Sequence, residues 1–513
     1  MDKLGMLLPL IIPLIGTLFI INKKLISDKH LTKVVAITVI VNFFCVIYSL
    51  YYAGDMSIHV LKVNAFLDIY FKVDQLTRVF ALLAAFLWVL TSFYAFEYMT
   101  HEKRHRQFYA FFVLTLAVIM GVAYSGNMFT LYAYYELLTL CTLPLVIHPN
   151  TSEALQSGKK YIIYSFGGAT LVVLGMMMIY AVTGHMNFQD HGILNTGIFQ
   201  GNESILRWSY LAMFLGFGVK AALVPFHSWL PNAMVAPTPV SALLHAVAVV
   251  KSGVFALVRT TYFLFGASLV SILGVAKFLI PLVIVTIVMG SLLALHQDHL
   301  KKRLAYSTIS QLGYILLGIL MLTPNGLLGA MLHMINHAVI KITLFFSVGA
   351  ITHMTHHKYI HQIKGIGKKM PITLICFSVA SISLVGIPPT NGFVSKWFLG
   401  LGALNVGNLF YIIFLLVSAF FTAGYLFPIP VTAFFADIKD DIESMDPSVV
   451  AEDLEDEVSV INVSKNGMGL VEKLDPPRLM LYPILILTVV IVTLGIFPNP
   501  IISFLDVVVQ DAF

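Results

Sequence analysis

Charge is scarce in this sequence. Only 11% of its 513 residues are Asp, Glu, Lys or Arg, against about 25% in an ordinary soluble domain. That excludes a water-soluble globular chain, and it leaves no basic surface of the kind that tracks a nucleic-acid backbone. Cysteine is nearly absent as well. Cys45, Cys141 and Cys376 stand alone within apolar segments, and no CxxC pairing occurs. Iron–sulfur and zinc sites need several closely spaced thiolates or imidazoles. No metal is therefore expected, and the three thiols read as small packing residues. Nucleotide-binding loops are missing too. Gly365-Ile366-Gly367 lacks the third glycine and the preceding strand of a dinucleotide fingerprint, and there is no P-loop. No cofactor is expected, so any redox chemistry must reside in another chain. The apolar run at 7–21 has neither a basic leader nor a small-residue cleavage site, and it reads as a first membrane span.

Long apolar runs fill the space that charge leaves. Fourteen segments are candidates for crossing a bilayer: 4–21, 31–52, 75–98, 108–125, 127–147, 160–183, 206–224, 238–262, 272–297, 303–322, 325–353, 371–399, 408–436 and 479–506. The expected fold is an all-α polytopic membrane protein. Lys and Arg collect in the loops after odd-numbered spans, as at Lys23, Lys24 and Lys29, at Lys103, Arg104 and Arg106, and at Lys301, Lys302 and Arg303. The positive-inside rule places those loops in the cytoplasm. A prokaryotic inner-membrane protein with both termini outside is the expected topology.

A few charges sit alone within these apolar runs: Glu136, Lys220, Lys251, Lys341 and Lys396. Each costs about 2.5–3.5 kcal/mol near a bilayer centre even on a lenient insertion scale. Recurrence in separate spans suggests a polar path, and hence ion or proton movement. Two spans also carry a proline break beside polar residues, at Val224-Pro225-Phe226-His227 and at Gly386-Ile387-Pro388-Pro389-Thr390-Asn391. Proline opens the helix ladder, and such breaks are tolerated where protein or a wet cavity satisfies the freed groups. Breaks at matching places in two halves point to a transporter repeat. Spans four to eight and nine to thirteen would be the two units, inverted because each holds an odd number of helices. Residues 436–477 are polar and acidic, as a solvated loop or a docking surface would be.

Four blocks carry a resemblance to a known family: PFHSWLPNAMVAPTPVSALLHAVAVVKSGVFALVR (225–259), KRLAYSTISQLGYILLG (302–318), LHMINHAVIKITLFFSVG (332–349) and GIPPTNGFVSKWFL (386–399). They resemble the antiporter-like membrane subunits. These include the L, M and N subunits of complex I (NADH:quinone oxidoreductase), the A-type and D-type components of Mrp sodium/proton antiporters, and their counterparts in membrane-bound hydrogenases. The blocks look closest to the D-type Mrp component and the hydrogenase type. Because the chain stops soon after the last span, neither the lateral helix of the L subunit nor the extension of the A-type Mrp component is expected. Asn232 departs from the Asp of many relatives.

The resemblance implies fourteen helices with two inverted five-helix repeats and broken helices 7 and 12. It divides the chain into helices 1–3 (1–107), a first repeat (108–262), a second repeat (263–435), an acidic cytoplasmic loop (436–477) and a last helix (478–513). It implies a proton path through Glu136, Lys220, His245, Lys251, His333, His337, Lys341 and Lys396. The implied partners are other membrane subunits of such an assembly, protons with sodium left open, and the lipid bilayer. The chain would be a pump subunit of a redox-driven complex with no redox chemistry of its own, or alternatively the D-type component of a non-redox Mrp sodium/proton antiporter. A free-standing facilitator-type transporter is the weaker alternative, lacking a GxxxD-type basic motif between the second and third spans.

These residue types suit a relay. A Glu–Lys pair at 4 Å interacts by about 4 kcal/mol at an effective dielectric of 20. Its approach or departure therefore decides whether the lysine keeps its proton. His333, His337 and Lys341 follow i, i+4, i+8 spacing and share one helix face, and histidine passes protons near neutrality. His245 and Lys251 lie six apart and would be bridged by water, with Ser307, Ser310 and Gln311 as further water holders. Packing alone would also explain a buried Glu–Lys pair, and Lys396 near a span end could snorkel. Asp74 reads as a helix cap, and His227 and Trp229 as shapers of the broken helix.

Overall fold

The computed structural model describes every residue except 1–3, 53–55, 65, 193–199 and 437–473. The expected acidic loop therefore lies largely outside the described residues. The fold is mostly helical. The helices used below are α1 (Leu4–Ile21), α2 (Leu31–Tyr52), α3 (Gln75–Tyr98), α4 (His105–Ala123), α5 (Met128–Val146), α6 (Ser152–Thr183), α7 (Glu203–Lys220), α8 (Thr238–Ala246) and α9 (Val249–Val258). After them come α10 (Ala276–Leu295), α11 (Leu300–Leu320), α12 (Pro324–Thr355), α13 (Pro371–Val385), α14 (Asn391–Val406), α15 (Leu409–Leu426), α16 (Arg478–Ile496) and α17 (Asn499–Ala512). Among the described residues, ten helices are long and apolar enough to cross a membrane, and 5–21 and α13 are shorter apolar helices.

Caps explain the closely spaced pairs. Asn127 accepts from the Thr130 amide at 2.8 Å and starts α5 four residues after α4 ends. Thr323 accepts from the Gly326 amide at 3.1 Å, and Pro324 opens α12. Proline is suited to that first position because its missing N–H would have no helical partner there. The 32-residue α12 runs through the interior with its central stretch wholly buried. It packs against α8, α11, α13, α14 and α16. By contrast, α15 turns Phe410, Ile413, Leu416 and Phe420 outward. Such an exposed apolar stripe suits lipid or a neighbouring membrane protein.

The structure corrects the expected fold in three places. First, it is not purely helical. Strands β1 (Ser57–Lys62) and β2 (Asp68–Lys72) pair antiparallel. The hairpin is pinned to the α4–α5 turn, since Lys72 donates to the Tyr124 carbonyl at 2.9 Å and Gly126 to the Tyr70 carbonyl at 2.8 Å.

Second, the eighth span is broken as well. The Leu243 carbonyl accepts from both Val247 and Ala248, at 3.0 and 2.8 Å. The ladder slips by one residue there, and a π-helical stretch follows at Arg259–Phe265. Third, the span expected at 479–506 is two helices, α16 and α17, divided at Phe497–Pro498. Pro498 and Pro500 have no N–H to continue the ladder of α16.

Candidate functional site

The seventh span stops at Lys220, the last residue of α7. Ala222 takes a positive φ of 56°, the Trp229 indole donates to the Val219 carbonyl at 2.9 Å, and the chain turns into short helical pieces between Phe226 and Val235. This places the Lys220 ammonium inside the protein, where its side chain is 1% exposed. It donates to the Tyr135 carbonyl and lies 3.4 Å above the centre of the Tyr135 ring. Its Nζ is 3.7 Å from Glu136 Oε1 on α5. That oxygen has no hydrogen-bond partner, so the contact is an ion pair at slightly more than hydrogen-bonding distance.

Helix α9 passes close to the end of α7. A Cβ on Gly253 would come within 2.8 Å of the Ala221 nitrogen and 3.0 Å of the Phe217 carbonyl oxygen. Glycine is what permits this approach, and Lys251 stands two residues before it. Lys251 Nζ reaches His337 Nδ1 at 2.7 Å. The rings of His337 and His333 are 6.0 Å apart on α12. His333 Nδ1 contacts Ser395 Oγ at 2.9 Å, and its Nε2 contacts Gln311 Oε1 at 3.0 Å. Gln311 continues to Thr422 at 3.4 Å, and Tyr425 donates to the same hydroxyl at 3.2 Å.

Lys341, on the same face of α12, donates to the Ser307 hydroxyl and to the Leu304 carbonyl of α11. His245 is wholly buried, and neither of its ring nitrogens has a partner. It lies in the electrostatic field of Lys341 and Lys251. Lys396 caps α13 at its break, donating to the Leu384 and Val385 carbonyls at 2.8 Å each. Helix C-termini leave such carbonyls free, and their dipole favours a cation. Its ammonium is turned onto the broken helix, where the sequence left open that it would snorkel.

The eight expected residues thus form two groups and a flank. Glu136 meets Lys220. Lys251, His337 and His333 form a line, with Lys341 and His245 beside it, and Lys396 adjoins Ser395 at the far end. Among the described residues, no side-chain hydrogen bond continues from Lys220 to Lys251, and the backbone contact at Gly253 joins the two groups. Ser307 and Gln311 touch the line directly. Ser310 instead faces Ser291 of α10 at 2.9 Å, across the α10–α11 contact.

One buried ion pair escaped the sequence reading. Arg259 is 0% exposed and grips Asp74 with two contacts, Nη1–Oδ2 at 2.5 Å and Nη2–Oδ1 at 2.8 Å. A third contact, at 3.1 Å, goes to the Thr77 hydroxyl. Asp74 also caps α3 through the Thr77 amide, as expected of it. The signal was present, because Arg259 is another lone charge in an apolar run. Among the described residues, no group of three His, Cys, Asp or Glu side chains is placed to hold a metal.

Comparison with known proteins identifies this architecture. Residues 125–422 match the family described as NADH:quinone oxidoreductase/Mrp antiporter, TM. The chain belongs to this family of antiporter-like membrane subunits. Residues 62–109 match a second family, the chain 5 N-terminus of NADH-ubiquinone oxidoreductase (complex I). NADH-quinone oxidoreductase subunit N of Desulforudis audaxviator is 33% identical over 439 residues, covering 84% of this chain and 82% of that one. Putative antiporter subunit mnhA2 of Staphylococcus saprophyticus is 34% identical over 357 residues, covering 64% of this chain but only 42% of the relative.

Among solved structures, a chain of the archaeal membrane-bound sulfane sulfur reductase superposes with a TM-score of 0.84 at 25% identity, covering 100% of this chain and 98% of that one. A chain of the Mrp complex from Dietzia sp. shares the fold at a TM-score of 0.82 and 20% identity, with coverage of 100% and 98%. The antiporter-like subunit is therefore a polytopic membrane protein, of a kind found in complex I, Mrp and sulfane sulfur reductase assemblies.

Proposed function

We propose that this antiporter-like subunit moves protons across the membrane within a multisubunit energy-converting complex. The path runs through Glu136, Lys220, Lys251, His337 and His333, with His245 and Lys341 beside it and Lys396 at its far end. The observation that carries this reading is the buried line Lys251–His337–His333–Gln311, in which Lys251 meets His337 at 2.7 Å and His333 meets Gln311 at 3.0 Å, while the two imidazole rings face each other across 6.0 Å, a gap that one water would bridge. Structural ion pairs do not require an unbranched run of titratable groups. A relay does, because a proton must be handed over at short range. Driving force would reach the line through the Glu136–Lys220 pair. When the carboxylate moves off, Lys220 loses its counter-charge and its field on Lys251 changes.

The same reading includes fourteen crossings, with 108–262 and 263–435 as inverted five-helix repeats around the breaks after Lys220 and Val385. Residues 1–107 would add three helices, and 478–513 the last one, after a cytoplasmic acidic segment at 436–477. The lysine-rich loops would face the cytoplasm of a prokaryote, and both termini the outside. Similarity to subunit N and to the sulfane sulfur reductase supports a redox-driven pump, with other membrane subunits as partners. Similarity to mnhA2 and to the Mrp complex supports the second reading, a non-redox sodium/proton exchanger.

Ion movement by the intact complex in sealed vesicles separates the two. Proton uptake started by electron transfer and indifferent to sodium supports the pump. Uptake that needs only a sodium gradient supports the exchanger. No ion movement in either case contradicts both.

A further inference from the structure

We propose that Lys301 is the proton-uptake residue on the lysine-rich face, passing protons to His245 by way of Ser241. This rests on the relay reading above. Lys301 is half-buried at the start of α11. It does not extend into solvent like an ordinary surface lysine. Its Nζ donates to the Ala236 carbonyl at 3.0 Å and reaches the Met234 carbonyl at 3.5 Å, just before α8 begins. Ser241 Oγ shares the Ala236 carbonyl at 3.2 Å, which brings the ammonium and the hydroxyl to one oxygen.

Ser241 is wholly buried and stands one helical turn before His245 on the same face of α8. His245 in turn is buried with both ring nitrogens unpartnered. A buried imidazole without a hydrogen bond is costly, unless a proton carrier or water visits it. The Leu304 carbonyl, one turn on along α11, is held by Lys341 at 3.0 Å, but a carbonyl only accepts, so the route from Lys301 into the line is the one through Ser241 to His245. Lys358 and Glu102 are the outer charges that act on it, and Glu102 would draw protons towards the site.

The chemistry is a plain proton hand-over. An N–H bond of the Lys301 ammonium breaks as the Ser241 oxygen, or a water beside it, gains the proton and releases its own towards His245 Nδ1 or Nε2. Lys301 is left neutral and is reloaded from solvent.

The test uses the intact complex in sealed vesicles with Lys301→Arg, Lys302→Gln as a control, and Lys220→Met in parallel. Arginine keeps the positive charge and the carbonyl contacts but does not release its proton. Proton uptake should fall at least about tenfold in Lys301→Arg and stay normal in Lys302→Gln. Imidazole added on the lysine-rich side should restore part of the loss, which a purely structural role would not allow. Normal uptake in Lys301→Arg, or a loss that imidazole leaves untouched, overturns the proposal. If Lys220→Met is inactive while Lys301→Arg is normal, only this proposal falls; if both are normal, the relay reading falls with it. Should the arginine variant fail to assemble, Ser241→Ala takes its place, with the same loss and the same rescue expected.

Discussion

Lys251 and His337 share one hydrogen bond across 2.7 Å, although 86 positions separate them in the chain. Both are basic and both are buried. A lysine ammonium and an imidazolium are each donors only, so the contact needs one lone pair. The contact therefore excludes the pair with both groups protonated, and a second proton on the pair would break it. When Nδ1 accepts from Lys251, Nε2 carries the ring proton, and because it has no partner it is free to give that proton to a group on its other side.

This contact makes His337→Gln informative. Glutamine keeps an acceptor for Lys251 but does not titrate. The complex should assemble with near-normal thermal stability, while proton uptake in vesicles falls by about a hundredfold.

The Arg259–Asp74 pair gives a stability prediction. Arg259→Met leaves the Asp74 carboxylate buried without its partner, a loss of about 3–5 kcal/mol. Replacing both, with Arg259→Met and Asp74→Asn together, should recover much of this, since asparagine keeps the α3 cap and no buried charge is left unpaired. Thermal unfolding of the purified complex measures both. Equal melting temperatures for Arg259→Met and the native protein would deny the pair any structural weight.

Gly253 is predicted to be intolerant of a larger side chain. With a Cβ already 2.8 Å from the Ala221 nitrogen, Gly253→Val must push α9 from the end of α7. Overpacking of this kind costs about 1–3 kcal/mol. It should lower ion movement more than stability, because it parts Lys251 from the Glu136–Lys220 pair. Thermal unfolding and vesicle uptake, measured on the same preparation, read the two effects.

Asp475, near the end of the acidic segment, accepts from the amides of Ile372 and Thr373, at 3.3 and 3.0 Å, at the start of α13. Removing such a cap costs about 1 kcal/mol. Asp475→Ala should speed hydrogen exchange at the first turn of α13 and leave ion movement near normal.

The sequence made much of this legible for a simple reason: a charge inside an apolar run is costly, and cost marks position. Glu136, Lys220, Lys251, Lys341 and Lys396 stood out on that ground alone, while the family resemblance brought in His245, His333 and His337, the last two in i, i+4 spacing with Lys341. The same rule would have found Arg259 had it been applied to the end of the 225–259 block. The break at Val247–Ala248 was beyond its reach. No proline or glycine marks it, and it arises where two amides compete for the Leu243 carbonyl. The hairpin at Ser57–Lys72 was also hidden. It is short and lies between two strong helical signals, and the α4–α5 turn holds it in place. The distance between Glu136 and Lys220 had to come from the fold, because no local pattern links α5 to α7.

The most direct test of the central claim is proton movement by the intact complex in sealed vesicles with Lys220→Met beside the native protein, after both are shown to assemble. The relay account predicts that the variant assembles and that its proton uptake falls to about one hundredth or less. Unchanged uptake in an assembled Lys220→Met complex would contradict it. The Glu136–Lys220 pair would then be scaffolding, and the proton path would lie elsewhere in the complex.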